Sequence, residues 1–359
     1  MRTVALKVTV PLSILDLAPI APGQTVRESF QASVELAQAA ERSGYRRVWY
    51  AEHHNMPTIA SSATSVLIGH IASQTSTIRL GAGGVMLPNH SPLVIAEQFG
   101  TLATLYPDRI DLGLGRAPGS DQATFRALRR SPASANEFPQ DVLELQAFLR
   151  GESTIPGVQA VPGGGTNVPL YILGSSLFGA QLAAQLGLPY AFASHFAPDQ
   201  LFQAIALYRE QFQPSEQLAA PHLIVGVNVV AALDSADAQE QFTQSRRSRL
   251  RSILLRGPNS DFTDEQMDQI IASPQGQQIA NMMRYTAVGT GQEVRDYLTE
   301  FAEATGADEL IIGHGALQSS DRIRSLEITA DAMRDAETAS RPLENAEPAE
   351  TASPPARAG

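Results

Sequence analysis

The feature that most constrains the fold of this chain is a repeated alternation of apolar, strand-like segments with helix-like segments. Eight strands are predicted, at residues 8–17, 46–53, 78–87, 109–116, 170–174, 190–194, 223–232 and 309–313. Parallel neighbours need crossover helices, and closing the sheet removes its edges, so the pattern predicts an α/β fold, a (β/α)8 TIM barrel. An open doubly wound sheet is the alternative. Against it, the loop after the first strand, which begins at Asp16, lacks the glycine-rich turn of a dinucleotide site.

Two stretches do not fit the repeat. Residues 233–290 are too long for one crossover helix, so we expect an insertion between strands seven and eight that lies over the barrel mouth. Residues 336–359 are rich in Ala, Glu, Pro and Ser and lack apolar periodicity, which predicts a disordered tail. The predicted barrel domain is therefore residues 1–335, with the insertion included.

Composition narrows the classes of function. The chain has no cysteine, which excludes disulfides, a thiol nucleophile and thiolate metal sites. Its net charge of −11 disfavours nucleic acid as a partner, and the arginine-rich segment 246–251 is interpreted as a solvated helix face. Neither a signal segment nor an apolar run of membrane-spanning length is present, so we expect a soluble, cytoplasmic protein.

Polar and small residues follow the predicted strands, where the active sites of barrels lie. They are Asp16, Glu52, His53, His54, the segment 84–90, Gly115, Arg116, Gly174, Ser175, Ser176, Ser194, His195, Asn228 and His314.

The third strand carries three glycines in its middle, Gly81, Gly83 and Gly84. Glycine inside a strand has no packing value of its own, so these residues predict a bulge, or a close approach by a flat ligand or by another backbone. A glycine-relaxed core strand with no ligand is the alternative.

The fifth strand, 170–174, runs directly into Ser175 and Ser176 and then into a helix. Free backbone N–H groups, two hydroxyls and the positive end of a helix dipole would meet there, which predicts an anion site, although a simple serine N-cap explains the same residues. Arg116 either adds a positive charge to this site or forms an ion pair with Asp108, Asp111 or Asp121. A phosphate site beside a glycine-flattened strand favours FMN over a nucleoside triphosphate, because the chain has no Walker-type loop.

Six motifs together resemble the bacterial-luciferase-like flavin-dependent monooxygenases, across about residues 10–330. They are the segments 49–55, 80–92, 96–98, 100–102, 113–116 and 173–176. The segments 117–121 and 193–198 are similar to an uncharacterised, alkanal-type subgroup of that family. The resemblance implies a barrel that binds reduced FMN supplied by a separate flavin reductase and that uses O2. Some relatives use a deazaflavin instead.

The resemblance also implies roles for individual residues. It assigns His53 to the catalytic histidine, where an imidazole can move protons at neutral pH. Because adjacent residues of a strand point to opposite faces, His54 is predicted to be structural. The bond between Gly83 and Gly84 matches a position where the family carries a non-proline cis peptide behind the flavin ring, so both glycines are expected to line the cofactor site.

Further positions match the cofactor site of the family: Arg116, Gly174, Ser175 and Ser176 correspond to positions near the flavin and its phosphate. Two positions depart from luciferase itself, which has a cysteine in place of Gly115 and an acidic residue in place of Gly174. Light emission and specificity for long-chain aldehydes are therefore not expected.

The resulting functional hypothesis is a monooxygenase that oxidises a small organic substrate, alkanal-like or other, with Asp16, His90 and His195 near the substrate. A deazaflavin-dependent oxidoreductase and a non-catalytic flavin-binding protein are alternatives. A metal-dependent hydrolase is another, although the first strand lacks the histidine pair that barrel metal sites use. A homo-oligomer is possible, through helices near residues 62–105.

Overall fold

The named strands of the described residues, 10–116, 122–255 and 262–340, belong to one parallel sheet in the computed structural model. The strands are β1 (Leu12–Asp16), β2 (Arg47–Tyr50), β3 (Arg79–Met86), β4 (Ile110–Gly115), β5 (Leu170–Gly174), β6 (Tyr190–Phe192), β7 (Leu223–Ala231), β8 (Thr286–Gly289) and β9 (Glu309–His314). The helices are α1 (Val26–Arg42), α2 (Thr64–Ala72), α3 (Pro92–Leu105), α4 (Gln122–Ala127), α5 (Phe138–Arg150), α6 (Leu177–Leu186), α7 (Leu201–Gln211), α8 (Ser235–Leu255), α9 (Asp264–Ala272), α10 (Pro274–Met282), α11 (Gly291–Thr305) and α12 (Ser319–Ser340).

The sheet closes on itself. Its strand order is β6-β5-β4-β3-β2-β1-β9-β7, and a further pairing of β6 with β7 joins the two ends. In that closing pair, Tyr190 lies opposite Leu223. The predicted (β/α)8 barrel is therefore confirmed. The open sheet is excluded, because in an open sheet β6 and β7 would be edge strands that do not pair with each other.

The eighth strand of the barrel is β9, as predicted from residues 309–313, whereas β8 was not predicted. Strand β7 pairs with β6 at its start, from Leu223, and with β8 at its end, from Asn228. Strand β9 pairs with the residues from Ile224 to Val229. Because β8 and β9 both pair with β7 at Asn228, they lie on opposite edges, and β8 extends the edge that β6 begins. The four residues of β8 are too few for alternation to separate a strand from a loop.

The predicted insertion, residues 233–290, contains α8, α9, α10 and β8. Helix α8 packs against β7 and β8, which connects the insertion to the barrel wall. Residues 256–261 lie outside the described residues. Helix α12 continues to Ser340, past the predicted start of the tail at residue 336, and residues 341–359 also lie outside the described residues.

Local sequence signals account for the helix ends. The side chain of Thr25 accepts a hydrogen bond from the Glu28 backbone N–H at 3.3 Å, and the Glu28 carboxylate accepts one from the Thr25 N–H at 2.7 Å. This capping box fixes the start of α1, as the sequence predicts. No helix of the described residues is both long enough and apolar enough to span a bilayer.

Candidate active site

The barrel lumen is plugged at its N-terminal end. The buried Arg47 guanidinium pairs with the Asp111 carboxylate at 2.7 Å and with the Glu309 carboxylate at 2.9 Å. It also donates to the Tyr171 hydroxyl at 2.7 Å. The Trp49 ring packs edge-on against the Tyr171 ring, with the ring centroids 4.9 Å apart. Ion pairs and aromatic rings therefore fill the lumen at its N-terminal end. Space for a ligand is expected at the C-terminal rim instead.

The glycines of β3 are explained by contacts within the barrel itself. A Cβ atom on Gly83 would lie 2.8 Å from the Cβ of Trp49, and one on Gly84 would lie 2.7 Å from the Gly113 carbonyl oxygen. The β3–β4 register also shifts here, so β3 has the predicted bulge, and the close approach is made by the neighbouring strand. The peptide between Gly83 and Gly84 is cis, as the resemblance implies.

His53 lies just past the end of β2, on the lumen side of the rim. Trp49 and Ala51 belong to the lumen cluster, and His53 continues the same alternation. Burial lowers the pKa of His53. The Ala51 backbone opposes this shift, and the positive charge of Arg249 adds to it. The ring is therefore neutral at neutral pH, so one nitrogen can donate a proton while the other accepts one.

Glu52, which faces away from the lumen, holds two histidines. The His54 Nε2 lies 2.8 Å from one carboxylate oxygen of Glu52, and the His90 Nε2 lies 2.9 Å from the same oxygen. The second oxygen accepts a hydrogen bond from the Met86 N–H at 3.0 Å. The carboxylate thus joins the chain beyond β2 to the end of β3 and to the loop that follows it.

Burial alone would raise the pKa of Glu52, but the hydrogen bonds from His54, His90 and Met86 outweigh it and hold the pKa at about 2. The hydrogen bond to Glu52 raises the pKa of His54. Glu52 was predicted to lie among the polar residues at the strand ends, but no role was predicted for it. The signal was a carboxylate two residues before a histidine, at the end of a buried strand. His90, expected near the substrate, is here a partner of Glu52.

His195 lies beyond β6, against β7. A Cβ atom on Gly226 would lie 2.3 Å from the His195 Nδ1, so the glycine makes room for the ring. The Asn228 side-chain amide donates to the His195 carbonyl oxygen at 2.7 Å. Burial, reinforced by the positive charge of Arg249, lowers the pKa of His195 to about 3. The ring is therefore neutral, and its Nδ1 is buried with no hydrogen-bond partner among the described residues.

The position of Arg249 contradicts the prediction that the whole arginine-rich segment 246–251 is a solvated helix face. On α8, Arg247 and Arg251 do pair with acidic residues of α9, including Asp264. Arg249 instead lies on the other side of the helix, where it lowers the pKa of His53 and of His195. The inward position of Arg249 was not predicted, because all the arginines of the segment were assigned to one solvated face.

Helical spacing was the signal that could have found Arg249. Ala238, Ser245 and Arg249 recur at helical spacing, and the first of these is fully buried. The Ser245 hydroxyl lies 3.5 Å from the position of a Cβ atom on Gly315, in the loop after β9.

Three predicted cofactor residues lie together at the start of α6. Ser176 is the N-cap of α6, and its side chain makes no capping hydrogen bond. Among the described residues, the hydroxyls of Ser175 and Ser176 donate no hydrogen bond. The Arg116 guanidinium lies over the ring of Phe178, in the first turn of α6, with its carbon 4.0 Å from the ring centroid. The guanidinium therefore contacts the first turn of the helix that the two serines precede.

The ion-pair alternative for Arg116 is contradicted at Asp111 and is not tested at Asp121. The Asp111 carboxylate is bound by Arg47 and Arg79 instead, and Asp121 lies outside the described residues. At Gly174 a Cβ atom would lie 3.6 Å from the Tyr190 hydroxyl, an ordinary contact, so packing does not demand a glycine there.

Asp16 is bound by its own surroundings. One carboxylate oxygen accepts a hydrogen bond from the Ala18 N–H at 3.0 Å, and the other accepts one from the Ser33 hydroxyl at 2.5 Å. These bonds connect the loop after β1 to helix α1.

The histidines of the candidate site are dispersed rather than gathered around one point. His53 and His195 lie at the lumen rim, whereas His54 and His90 contact Glu52. His314 faces the Ser325 hydroxyl at 2.9 Å. Within the described part of the chain, no cluster of three or more histidine and acidic side chains is arranged to hold a metal ion.

Sequence comparison identifies close relatives over most of the chain. A sequence model of the luciferase-like monooxygenases matches residues 10–309. A luciferase-like monooxygenase of Escherichia coli K12 is 49% identical over 326 residues, which cover 90% of this chain and 97% of the relative. The N-acetyl-S-alkylcysteine monooxygenase of Bacillus subtilis is 31% identical over 337 residues, with coverage of 90% and 98%.

Solved structures share the fold. The crystal structure of apo-MsnO8 has a TM-score of 0.81 at 38% identity and covers 90% of this chain and 98% of its own. The oxygenating constituent of the 3,6-diketocamphane monooxygenase from Pseudomonas putida, in complex with FMN, has a TM-score of 0.68 at 16% identity, with coverage of 90% and 97%. An F420-dependent secondary alcohol dehydrogenase has a TM-score of 0.67 at 15% identity, with coverage of 91% and 100%. By its sequence and its barrel, this chain belongs to the luciferase-like monooxygenase family.

Proposed function

We propose that this protein uses reduced FMN and molecular oxygen to oxidise a small organic substrate. The observation that carries the proposal is a set of donors at the start of α6, formed by Arg116, Ser175 and Ser176, whose side chains donate no hydrogen bond within the described residues. These donors lie at the same end of the barrel as the neutral His53. The family membership and the FMN complex of a protein with the same fold support it.

The residues present fit a flavin phosphate. A phosphate carries several acceptor oxygens and negative charge, and the start of α6 offers hydroxyls, backbone N–H groups and a guanidinium. Since Gly174 adds no side chain beside these donors, the approach to Ser175 stays open. Bound reduced FMN would supply the electrons that activate oxygen.

The chain's own residues would then control protons and water. His53 is neutral, so its imidazole can hold a proton at one ring nitrogen and take one up at the other. Glu52, which precedes this histidine, binds His54 and the Met86 N–H at the end of β3, and these contacts would hold the segment around His53 in place. The insertion, attached through α8 to β7 and β8, would limit the access of water to the rim.

The source of the reduced FMN and the class of substrate are proposed on the same basis. A separate flavin reductase would deliver the reduced FMN, and the protein would act in the cytoplasm as a monomer or a homo-oligomer. The relative named N-acetyl-S-alkylcysteine monooxygenase makes small thioethers reasonable substrates to test beside aldehydes.

A deazaflavin-dependent oxidoreductase is the second candidate. The F420-dependent dehydrogenase superposes on this chain almost as well as the FMN-bound monooxygenase does, with TM-scores of 0.67 and 0.68. Both cofactors carry a phosphate, so the start of α6 would suit either. Titration of the purified protein with reduced FMN and with reduced F420 distinguishes the two candidates, because the proposal requires the tighter binding for FMN.

Transfer of labelled oxygen tests the reaction itself. Purified protein receives FMN, NADH, a flavin reductase and isotopically labelled O2, together with a panel of aldehydes and thioethers. The proposal expects labelled oxygen in at least one product. If all the oxygen consumed appears as hydrogen peroxide for every compound, the protein is a flavin-binding protein without oxygenase activity.

A further inference from the structure

A partly buried positive charge lies at the barrel rim without a counter-ion in the described residues. Arg249 is partly buried, and burial lowers the pKa of its guanidinium. No ion pair or hydrogen bond of its side chain is present in the described part of the chain. Its neighbours on α8 differ, since Arg247 and Arg251 both pair with Asp264. A charge that is removed from water without a partner destabilises the fold. Arg249 is therefore expected to serve binding rather than stability.

Helix packing places Arg249 at the mouth of the barrel. Helix α8 packs against β7 and β8, and Ser245 lies against Gly315 at the C-terminal end of β9. Arg249 is one helical turn further on, on the same face. His195 lies against the middle of β7, next to Gly226, and the positive charge of Arg249 acts on it. The guanidinium therefore reaches the rim from the side of β7 and β9.

Among the residues that the structure describes, the surroundings of Arg249 contain no group that neutralises its charge. The two rim histidines, His53 and His195, are neutral and themselves feel its positive charge. Both carboxylate oxygens of Asp16 are bound by Ala18 and Ser33. The described part of the rim near Arg249 is therefore short of one negative charge.

The flavin phosphate does not account for this charge. In the proposed function the phosphate is bound after β5, by Ser175 and Ser176 with Arg116. Arg249 instead interacts with His53, which we place at the reacting end of the cofactor. The missing anion should therefore belong to the second molecule that the rim must hold.

We propose that Arg249 binds an acidic group of the organic substrate, so that the substrate is an organic acid with a carboxylate. A guanidinium holds a carboxylate through two parallel hydrogen bonds, which would fix one end of the substrate beside His53 and His195. This inference rests on the proposed function, because it assigns the substrate class of the same site.

The test compares acids with uncharged molecules of the same shape. The flavin-free full chain is titrated at low ionic strength with n-alkanoates from acetate to decanoate and with the matching n-alkanamides. We expect at least one alkanoate to bind about tenfold or more tightly than its amide, as a charge-assisted bidentate contact implies. Equal binding of acids and amides throughout the series would overturn the proposal.

Matched variants locate the effect. Arg249→Met keeps the length of the side chain and removes its charge, so the preference for the acid should disappear. Arg251→Met, two residues along α8, removes a charge that pairs with Asp264, so the preference should persist. Retention of the preference in Arg249→Met would show that another group binds the acid. The thermal midpoint of ligand-free Arg249→Met should equal or exceed that of the native protein, and a marked fall would reveal a structural partner.

A flavin titration separates this inference from the proposed function. Arg249→Met should bind FMN and riboflavin as the native protein does. If the variant loses affinity for FMN but not for riboflavin, Arg249 is a phosphate ligand and the inference is wrong. If the native protein binds no FMN at all, the proposed function fails, whereas the comparison of alkanoates with amides still decides whether Arg249 is an anion site.

Discussion

At the scale of single residues, two adjacent histidines have opposite surroundings. His53 continues the lumen-facing alternation of Trp49 and Ala51, whereas His54 turns to the buried carboxylate of Glu52 at 2.8 Å. A function in proton transfer and a function in structure are thus separated by one position in the sequence, which makes the pair suitable for mutation.

Replacement of the two histidines should give different defects. In His53→Ala, we expect oxygen transfer to fall by about 10²- to 10⁴-fold, the usual contribution of a general acid–base group, with FMN affinity within a few-fold of native. In His54→Ala, we expect stability to fall by roughly 1–3 kcal/mol, because a hydrogen bond to a buried charge is lost. Thermal midpoint, FMN affinity and peroxide release measure both. The reverse pattern would mean that the faces are exchanged.

The Glu52 cluster predicts a pH dependence of stability. The Glu52 pKa is lowered from 4.5 to about 2, so its contribution is present above pH 4.5 and is lost as the pH falls toward 2. The His54 pKa is raised above 6.5, so its contribution is present below pH 6.5 and is lost as the pH rises through the folded value.

Glu52→Gln should therefore lose most stability in the window between those limits. We expect its deficit in the free energy of unfolding to be largest between pH 4.5 and 6.5, at roughly 2–3 kcal/mol. The deficit should shrink on either side, as measured by urea unfolding over a pH series. A deficit that is constant from about pH 3 to about pH 9 would show that the charge of Glu52 does not contribute to stability.

At the scale of elements, the turn from β5 into α6 carries the proposed phosphate site. The strand ends at Gly174, and the helix begins after Ser176, whose side chain leaves the first turn uncapped. A serine that served only as a cap would accept a hydrogen bond from the helix N–H groups. The absence of that bond in this turn favours an external acceptor.

Replacement of both serines by alanine should therefore affect the phosphate specifically. We expect Ser175→Ala with Ser176→Ala to weaken FMN binding by roughly 1–3 kcal/mol, the value of hydrogen bonds to a charged group. Riboflavin, which has no phosphate, should bind nearly as before, and fluorescence titration measures both. Equal weakening for the two ligands would exclude a phosphate site at this turn.

At the scale of the whole molecule, the barrel was predictable because its signals are local. Apolar strands, crossover helices and caps such as that between Thr25 and Glu28 are each set by a few neighbouring residues. Strand β8 was missed because its four residues carry no readable period, and its pairing with β7 is a tertiary effect.

The candidate site was predictable only in part. Ser175, Ser176 and His53 follow strands directly, so their place at the rim follows from the strand pattern. The roles of Glu52 and Arg249 depend on which residues approach them from distant segments, as His90 approaches Glu52 at 2.9 Å. Sequence spacing does not encode such contacts, and a charged run such as that on α8 conceals the one arginine that turns inward.

The central claim is that the rim of this barrel binds reduced FMN, and anaerobic titration of the purified full chain tests it most directly. We predict saturable binding of reduced FMN that is about tenfold or more tighter than that of reduced riboflavin, since the phosphate adds charge-assisted hydrogen bonds. We also predict that reduced FMN binds more tightly than reduced F420. Absence of saturable binding, equal affinity for FMN and riboflavin, or tighter binding of F420 would contradict the account.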